Sequence, residues 1–284
     1  MKRLHFISTL ATMTLLQPWQ YLNALPDGTV AMPALFVGHG SPMNAIEENR
    51  FSKRWFELGI QLPKPSAILC ISAHWETRGI QLTASPQPET IHDFYGFPEA
   101  LHQAQYPAPG APDWVEKLLK ESWSVPASAD PNRGLDHGTW SVLMPMYPKA
   151  DVPVFQLSLN TNFTPEQHYA LGASLAGLRK KGVLIIGSGN LVHNLGMLKW
   201  QEAGFDWAIQ VNNSMKTAIQ EQRHADMIQY RNLSTEILKA IPTEEHYLPA
   251  LYMLGMREKA ESLAFFNDET IMGSISMTSF IIGA

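Results

Sequence analysis

Three histidines share one setting, an apolar run followed by small or turn-forming residues. His39 follows Leu35-Phe36-Val37-Gly38 and opens Gly40-Ser41-Pro42; His74 closes Ile71-Ser72-Ala73 and precedes Trp75-Glu76. His193 comes shortly after Val183 to Ile186, in Gly187-Ser188-Gly189-Asn190-Leu191-Val192-His193-Asn194. Neutral imidazole is the commonest protein ligand of divalent transition metals, and three imidazoles from adjacent strand ends leave coordination positions open for a substrate. Such a centre suits catalysis. A structural zinc site more usually recruits several closely spaced cysteines, and the chain has a single cysteine, Cys70. A lone histidine on an apolar run is more often a core residue bonded to backbone, but three in equivalent places favour ligation.

Two more histidines have acidic neighbours: His137 in Gly134-Leu135-Asp136-His137-Gly138-Thr139-Trp140, and His246 in Glu244-Glu245-His246-Tyr247-Leu248-Pro249. Asp136 could orient a ring from behind, and Glu244 or Glu245 could supply a carboxylate ligand if His246 does not bind. His92, His102, His168 and His224 lie in polar loop-like or helical contexts and read as surface or outer residues. Gly187-Ser188-Gly189 lacks the third glycine and the following acidic residue of a dinucleotide fingerprint. The sequence also lacks a Gly-x-Ser-x-Gly elbow, a phosphate-binding Gly-Lys-Ser/Thr loop and a His-Glu-x-x-His helix; Ser41 before Pro42 reads as a turn residue.

The elements that must position these side chains follow from the hydrophobic pattern. Ala34 to Val37, Ala67 to Ile71, Pro153 to Leu157 and Val183 to Ile186 are nearly continuous apolar runs bounded by turn residues, as expected of strands buried on both faces. Alternation with helix-like segments predicts one α/β domain with a largely parallel central sheet flanked by helices, its metal site at the C-terminal ends of the strands. Thr164-Pro165-Glu166-Gln167 starts a helix with Leu171, Leu175 and Leu178 on one face, ending near Lys180-Lys181-Gly182. Ala208, Val211, Met215, Ala218, Ile219 and Gln222 predict a second helix over 206–222. A Pro- and Gly-rich stretch from Ser85 to Pro112, carrying His92, Asp93, Phe94, Tyr95, Phe97 and Tyr106, is long for a mere connection; it reads equally as a cover over a site or as a surface loop pinned by its aromatics.

Composition supports a folded chain that does not bind nucleic acid. Its 284 residues are 45% hydrophobic and 17% charged, with a net charge of −5 and no basic stripe. Cys70, inside Ala67-Ile68-Leu69-Cys70-Ile71, reads as a buried small hydrophobe, so the fold needs no oxidising compartment. Residues 1–30 stand apart: Lys2-Arg3 precede a Thr- and Gln-interrupted apolar stretch, Leu4 to Leu16, too short and polar to span a bilayer. They read as a signal-like leader or a disordered extension, which leaves cytoplasm and periplasm both open.

Taken together, Gly38-His39-Gly40-Ser41-Pro42, Ser72-Ala73-His74-Trp75, Leu135-Asp136-His137-Gly138-Thr139-Trp140, Gly187 to Asn194 and His246-Tyr247-Leu248-Pro249 resemble the 4,5-DOPA extradiol dioxygenase family, within the class III, protocatechuate 4,5-dioxygenase-like ring-cleaving enzymes. The resemblance runs in consistent order from about Pro33 to the C-terminus. It implies a catalytic domain over 31–284, one divalent metal ion, and opening of a catechol ring by dioxygen next to its hydroxyl carbons. It also implies that His39 and His74 are metal ligands, that His246 is a later metal-site histidine, and that His193 either ligates or acts as acid/base. By the same chemistry His137 is expected to serve as a secondary acid/base. The wider class completes a two-His, one-carboxylate triad, so the third ligand here stays open between His246 and Glu244 or Glu245. Dioxygen chemistry calls for Fe(II), while an all-imidazole site suits Zn(II) as isolated. Trp75, Phe94, Tyr95 and Tyr247 could wall an aromatic substrate, although aromatics near a sheet are more often core. Two alternatives remain beside this reading: a zinc-dependent hydrolase using a metal-bound water, and a non-catalytic metal-binding module on the same fold.

Overall fold

The computed structural model describes Asp27 and residues 31–284; the rest of the leader-like segment lies outside the described residues. Six strands form the central sheet: β1 (Ala34–Gly38), β2 (Ala67–Ser72), β3 (Val154–Gln156), β4 (Val183–Gly189), β5 (Leu263–Phe266) and β6 (Ser279–Ile282). Their order is β3-β2-β4-β1-β6-β5. The first four run parallel, and β6 and β5 continue the sheet antiparallel.

Continuous apolar runs arise because both faces of the parallel strands are covered. Phe36, Leu69, Ile71 and Ile185 point into one core, under α3 (Pro165–Leu175), α4 (Asp206–Gln220) and α5 (Leu248–Gly255). Leu35, Val37, Ile68 and Cys70 point into the other, under α1 (Arg50–Gln61) and α2 (His137–Met146). Cys70 is buried as expected, and burial pushes its thiol well above the usual range, which keeps it inert.

Local signals place the helices with small shifts. Thr164 caps α3 through a reciprocal capping box with Gln167, and Gly182, at φ +81°, ends the short helical turn Gly177–Lys180 that follows. The second expected helix stops at Gln220; Gln222 lies beyond it in a left-handed conformation, at φ +55°. β4 extends three residues past the expected Ile186, through Gly187-Ser188-Gly189, because this small-residue end is where α5 lies against the sheet. A Cβ on Gly189 would stand 2.1 Å from the carbonyl oxygen of His246, and one on Gly187 would stand 2.7 Å from that of Pro249. These glycines therefore admit a helix rather than a ligand. Among the described residues no helix is long and apolar enough to cross a membrane.

Candidate metal centre and active site

The parallel strands end on one side of the sheet, and the histidines meet there. His39 directly follows β1, and its backbone N–H donates to the Gly189 carbonyl at the end of β4 (3.1 Å). His74 stands two residues beyond β2, with the Ala73 N–H donating to Ser188 O at 2.9 Å. His137 is the first residue of α2, whose N-cap is Asp136. His246 precedes α5, and its carbonyl accepts from Asn190 N at 2.8 Å, tying this turn to the strand-β4 exit. His193 lies on that exit itself, four residues past Gly189, its N–H held by the Ala240 carbonyl.

Three imidazoles converge. Ring centroids are 5.0 Å apart for His39 and His74, 5.3 Å for His39 and His246, and 4.9 Å for His74 and His246. A nitrogen from each of the three lies within 4.8 Å of the others, and the Nε2 atoms of His39 and His74 are 3.2 Å apart. Two nitrogens bound tetrahedrally to one ion, each at about 2.1 Å, are separated by about 3.4 Å.

Hydrogen bonding decides which nitrogens face inward. The Ser188 hydroxyl donates its one proton to the Gly138 carbonyl at 2.5 Å, since a carbonyl only accepts. Ser188 must then accept from His39 Nδ1–H at 3.0 Å, which leaves His39 Nε2 with a lone pair aimed at the cluster. Glu245 Oε1 accepts from His246 Nδ1 at 3.0 Å and Asp93 Oδ1 from His137 Nδ1 at 3.0 Å, so these rings also turn Nε2 lone pairs outward from their carboxylates. His74 Nδ1 faces Asp93 Oδ2 at 3.6 Å. Imidazoles anchored through one nitrogen to an acceptor and presenting the other are the arrangement that metal-binding histidines adopt. Burial, reinforced by neighbouring imidazoles, holds His39 and His246 well below the ordinary histidine value, and burial lowers His74 to about 4. They are neutral at pH 7, the form that ligates. The donor set thus fits a divalent ion.

His193 occupies a different place. Its ring stacks on His246 at 3.5 Å and 7°, and its nitrogen groups with His246 and Glu245 rather than with His39 and His74. Burial lowers it to about 4, with the Glu245 charge opposing. His137 lies 3.8 Å from the His74 ring and shares Asp93 with it. Burial alone would raise the Asp93 carboxyl, but the ring and backbone N–H of His137 donate to it and bring it down to about 2.

Several expectations need correction. Asp136 spends its oxygens on groups other than histidine rings: buried, it accepts from Ser72 Oγ (2.7 Å), Gln156 Nε2 (2.6 Å) and Thr139 N, and so caps α2. Glu244 turns away to Tyr230 OH and Arg231, leaving Glu245 as the carboxylate at His246. Trp75 is buried against Arg133, and Tyr247 is buried with its hydroxyl on Met227 O, so neither walls the cavity. His168 is a core residue bonded to Tyr252 OH.

The histidines open into a cavity of about 410 Å³. The 85–112 stretch covers it with Asp93, Phe94, Tyr95 and Phe97, while Trp200 and Leu198 come from the segment after His193. Asp93, Ser188 and Trp200 belong to the site although their sequence contexts single out none of them; the His92-Asp93-Phe94-Tyr95 run in an overlong loop was the available signal for Asp93.

Residues 33–277 match the family described as the catalytic LigB subunit of aromatic ring-opening dioxygenase. The chain belongs to this family and is an extradiol ring-cleaving dioxygenase, which makes the hydrolase and non-catalytic readings the less favoured ones. It is 43% identical over 258 residues to the 4,5-DOPA dioxygenase extradiol of Escherichia coli K12, covering 89% of this chain and 95% of that protein. It is 39% identical over 256 residues to the 4,5-DOPA dioxygenase extradiol of Beta vulgaris, covering 86% and 96%. The crystal structure of uncharacterized protein JW3007 from Escherichia coli K12 superposes with a TM-score of 0.78 at 38% identity, covering 89% of this chain and all of that one. The family's chemistry implies a divalent metal ion, for which the histidine and carboxylate groups above are the candidate ligands.

Proposed function

We propose that the domain over 31–284 opens the ring of a catechol, the class to which the DOPA named in its relatives belongs, by breaking the bond between one hydroxyl-bearing carbon and its neighbour that bears no hydroxyl, with one atom of dioxygen ending on each of those two carbons. The observation that carries this reading is the convergence of His39, His74 and His246, lone pairs inward, on the floor of a ring-sized cavity. These three would hold one ferrous ion, which when bound would supply the chemistry that binds a catechol and activates dioxygen; zinc suits the same all-nitrogen set and is the metal expected on isolation.

The chain's own residues then handle protons and position. His193, neutral at pH 7 and stacked on His246, accepts a proton from a substrate hydroxyl and later returns one. Asp93 fixes the His137 ring so that its Nε2 faces the cavity, where it serves as the second acid/base. Phe94, edge-on to His137 at 5.6 Å, limits how far a ring can slide from the histidines. The 85–112 stretch lines that side of the cavity with Asp93, Phe94, Tyr95 and Phe97.

The deciding experiment is anaerobic reconstitution of stripped protein with Fe(II) or Zn(II), followed by oxygen uptake and visible absorbance with a catechol panel. Iron-dependent uptake with a yellow product is expected. It should vanish with loss of metal in His39→Ala, His74→Ala and His246→Ala, and fall with metal retained in His193→Ala and His137→Ala. An iron-filled protein that takes up no oxygen would overturn the reading, and full turnover by His193→Ala would overturn that residue's role.

A further inference from the structure

A second cavity, of about 320 Å³, shares no lining residue with the histidine cavity. It opens where Glu76–Thr77, paired in parallel with Leu159–Asn160, meets the first turn of α3 and the turn that enters α5. Two carboxylates line it with oxygens to spare. Glu76 has no ion pair or hydrogen bond to a side chain among the described residues, and Glu245, whose Oε1 accepts from His246 and Thr243, keeps Oε2 unshared. Glu244 adds a third carboxylate, already paired with Arg231.

His168 supplies the second kind of acceptor. Only 1% of this residue is exposed; Nδ1 bonds the Tyr252 hydroxyl at 2.9 Å, while Nε2 has no protein partner and is open to the cavity. Burial lowers the ring to about 4, so it is neutral at pH 7, and in the tautomer that donates Nδ1–H to Tyr252 the Nε2 atom offers a lone pair. Leu159, Phe163 and Leu248 add apolar surface. Carboxylates, an imidazole lone pair and apolar walls together suit a cation with an apolar body. A chelated metal ion needs its ligands gathered, and the histidine and carboxylate groups with ligand atoms within 4.8 Å of one another include neither His168 nor Glu76. A primary ammonium instead carries three diverging N–H donors, each able to make a charge-assisted hydrogen bond, and its alkyl part would bury against the apolar walls.

We infer that this second cavity binds a small organic ammonium ion, held by Glu76, Glu245 and His168 Nε2, with its apolar part against Phe163 and Leu248. The site stands apart from the ring-opening reading and does not depend on it.

The test is calorimetry on the zinc-loaded full chain with n-butylammonium and, as its uncharged counterpart, butan-1-ol. The ammonium should bind at least ~10-fold more tightly than the alcohol, and rising salt should weaken it. Glu76→Gln, at an exposed position, should weaken binding at least ~5-fold. Thr161→Lys, also at an exposed position, tethers an ammonium at the same cavity and should abolish binding. In the unsubstituted protein the His168 imidazole resonances should move as the amine saturates. Equal binding of amine and alcohol, full affinity in either variant, or unmoved His168 resonances would overturn the inference. So would a cavity that takes Mg²⁺ in place of butylammonium.

Discussion

The Ser188 hydroxyl, at the end of β4, accepts from His39 Nδ1 while donating to Gly138 O, and so fixes which nitrogen of the His39 ring is bare. Ser188→Ala removes that acceptor and lets the proton settle on Nε2, where a metal must bind. We expect metal affinity to fall about 10–100-fold, as for other supporting residues around metal-bound histidines. Chelator competition measures it. A thermal scan should show a smaller loss, about 1–2 kcal/mol, for the Gly138 carbonyl left without its donor.

Gly189→Ala tests the approach of α5 to the sheet. The added methyl would sit 2.1 Å from the His246 carbonyl oxygen, so backbone must move. The variant should lose about 1–3 kcal/mol of stability and load less than one metal per chain, because His246 is carried on the displaced turn. Metal stoichiometry and urea midpoints report both effects. Gly96→Ala, where the added methyl meets nothing within 4 Å but φ is +76°, should cost only about 1 kcal/mol and leave loading unchanged.

Acid should weaken the metal-stripped protein over a defined window. Burial lowers His74, His168 and His193 to about 4, and holds His39 and His246 well below the ordinary histidine value. Below pH 6.5 the unfolded chain takes up protons that the folded chain refuses, so stability falls as pH drops from about 6.5 to about 4. Each group adds up to about 1.4 kcal/mol per pH unit. Urea midpoints of the apo-protein should decline through that range, and metal should flatten the decline. A flat apo profile would contradict the burial of these rings.

An ion pair between buried Arg179 and half-buried Glu261 clamps the opposite end of the sheet. Arg179 meets Glu261 in a bidentate pair at 3.0 and 2.5 Å and donates to the Met32 and Met256 carbonyls as well. Arg179→Ala should cost about 2–3 kcal/mol, because the buried carbonyls lose their donor and the half-buried Glu261 loses its partner. Burial pushes the Glu261 carboxyl up, but the hydrogen bonds and charge of Arg179 outweigh it and the net shift is downward. Its contribution is therefore complete above the unfolded value and lost as pH falls through the folded one. Equilibrium unfolding at pH 7 measures the first effect, and intact metal loading of the surviving folded fraction separates it from damage to the site.

Much of the chain's plan was open to reading along its length. Apolar runs too continuous for a half-exposed strand announced β1, β2 and β4, and the Thr164 to Gln167 capping box announced α3. His39 and His74 were legible because they sit within two residues of the ends of β1 and β2, where local pattern and spatial position coincide. His168 was misread for the opposite reason: its polar local context hides a core position that comes from α3 packing on α5.

What only the tertiary structure decided lies in groups brought together from far apart. Asp136 and Glu244 had the right spacing to serve neighbouring histidines, yet the rotation of α2 and of the turn before α5 sent them to Ser72 and Tyr230. Asp93 and Ser188 took the anchoring roles from 44 residues upstream of His137 and 149 residues downstream of His39. A sequence states which side chains can donate, accept or ligate and on which element they ride. Which lone pair faces which partner depends on directions in space, and these are set only when β1, β2, β4 and α5 close on one another around a common core.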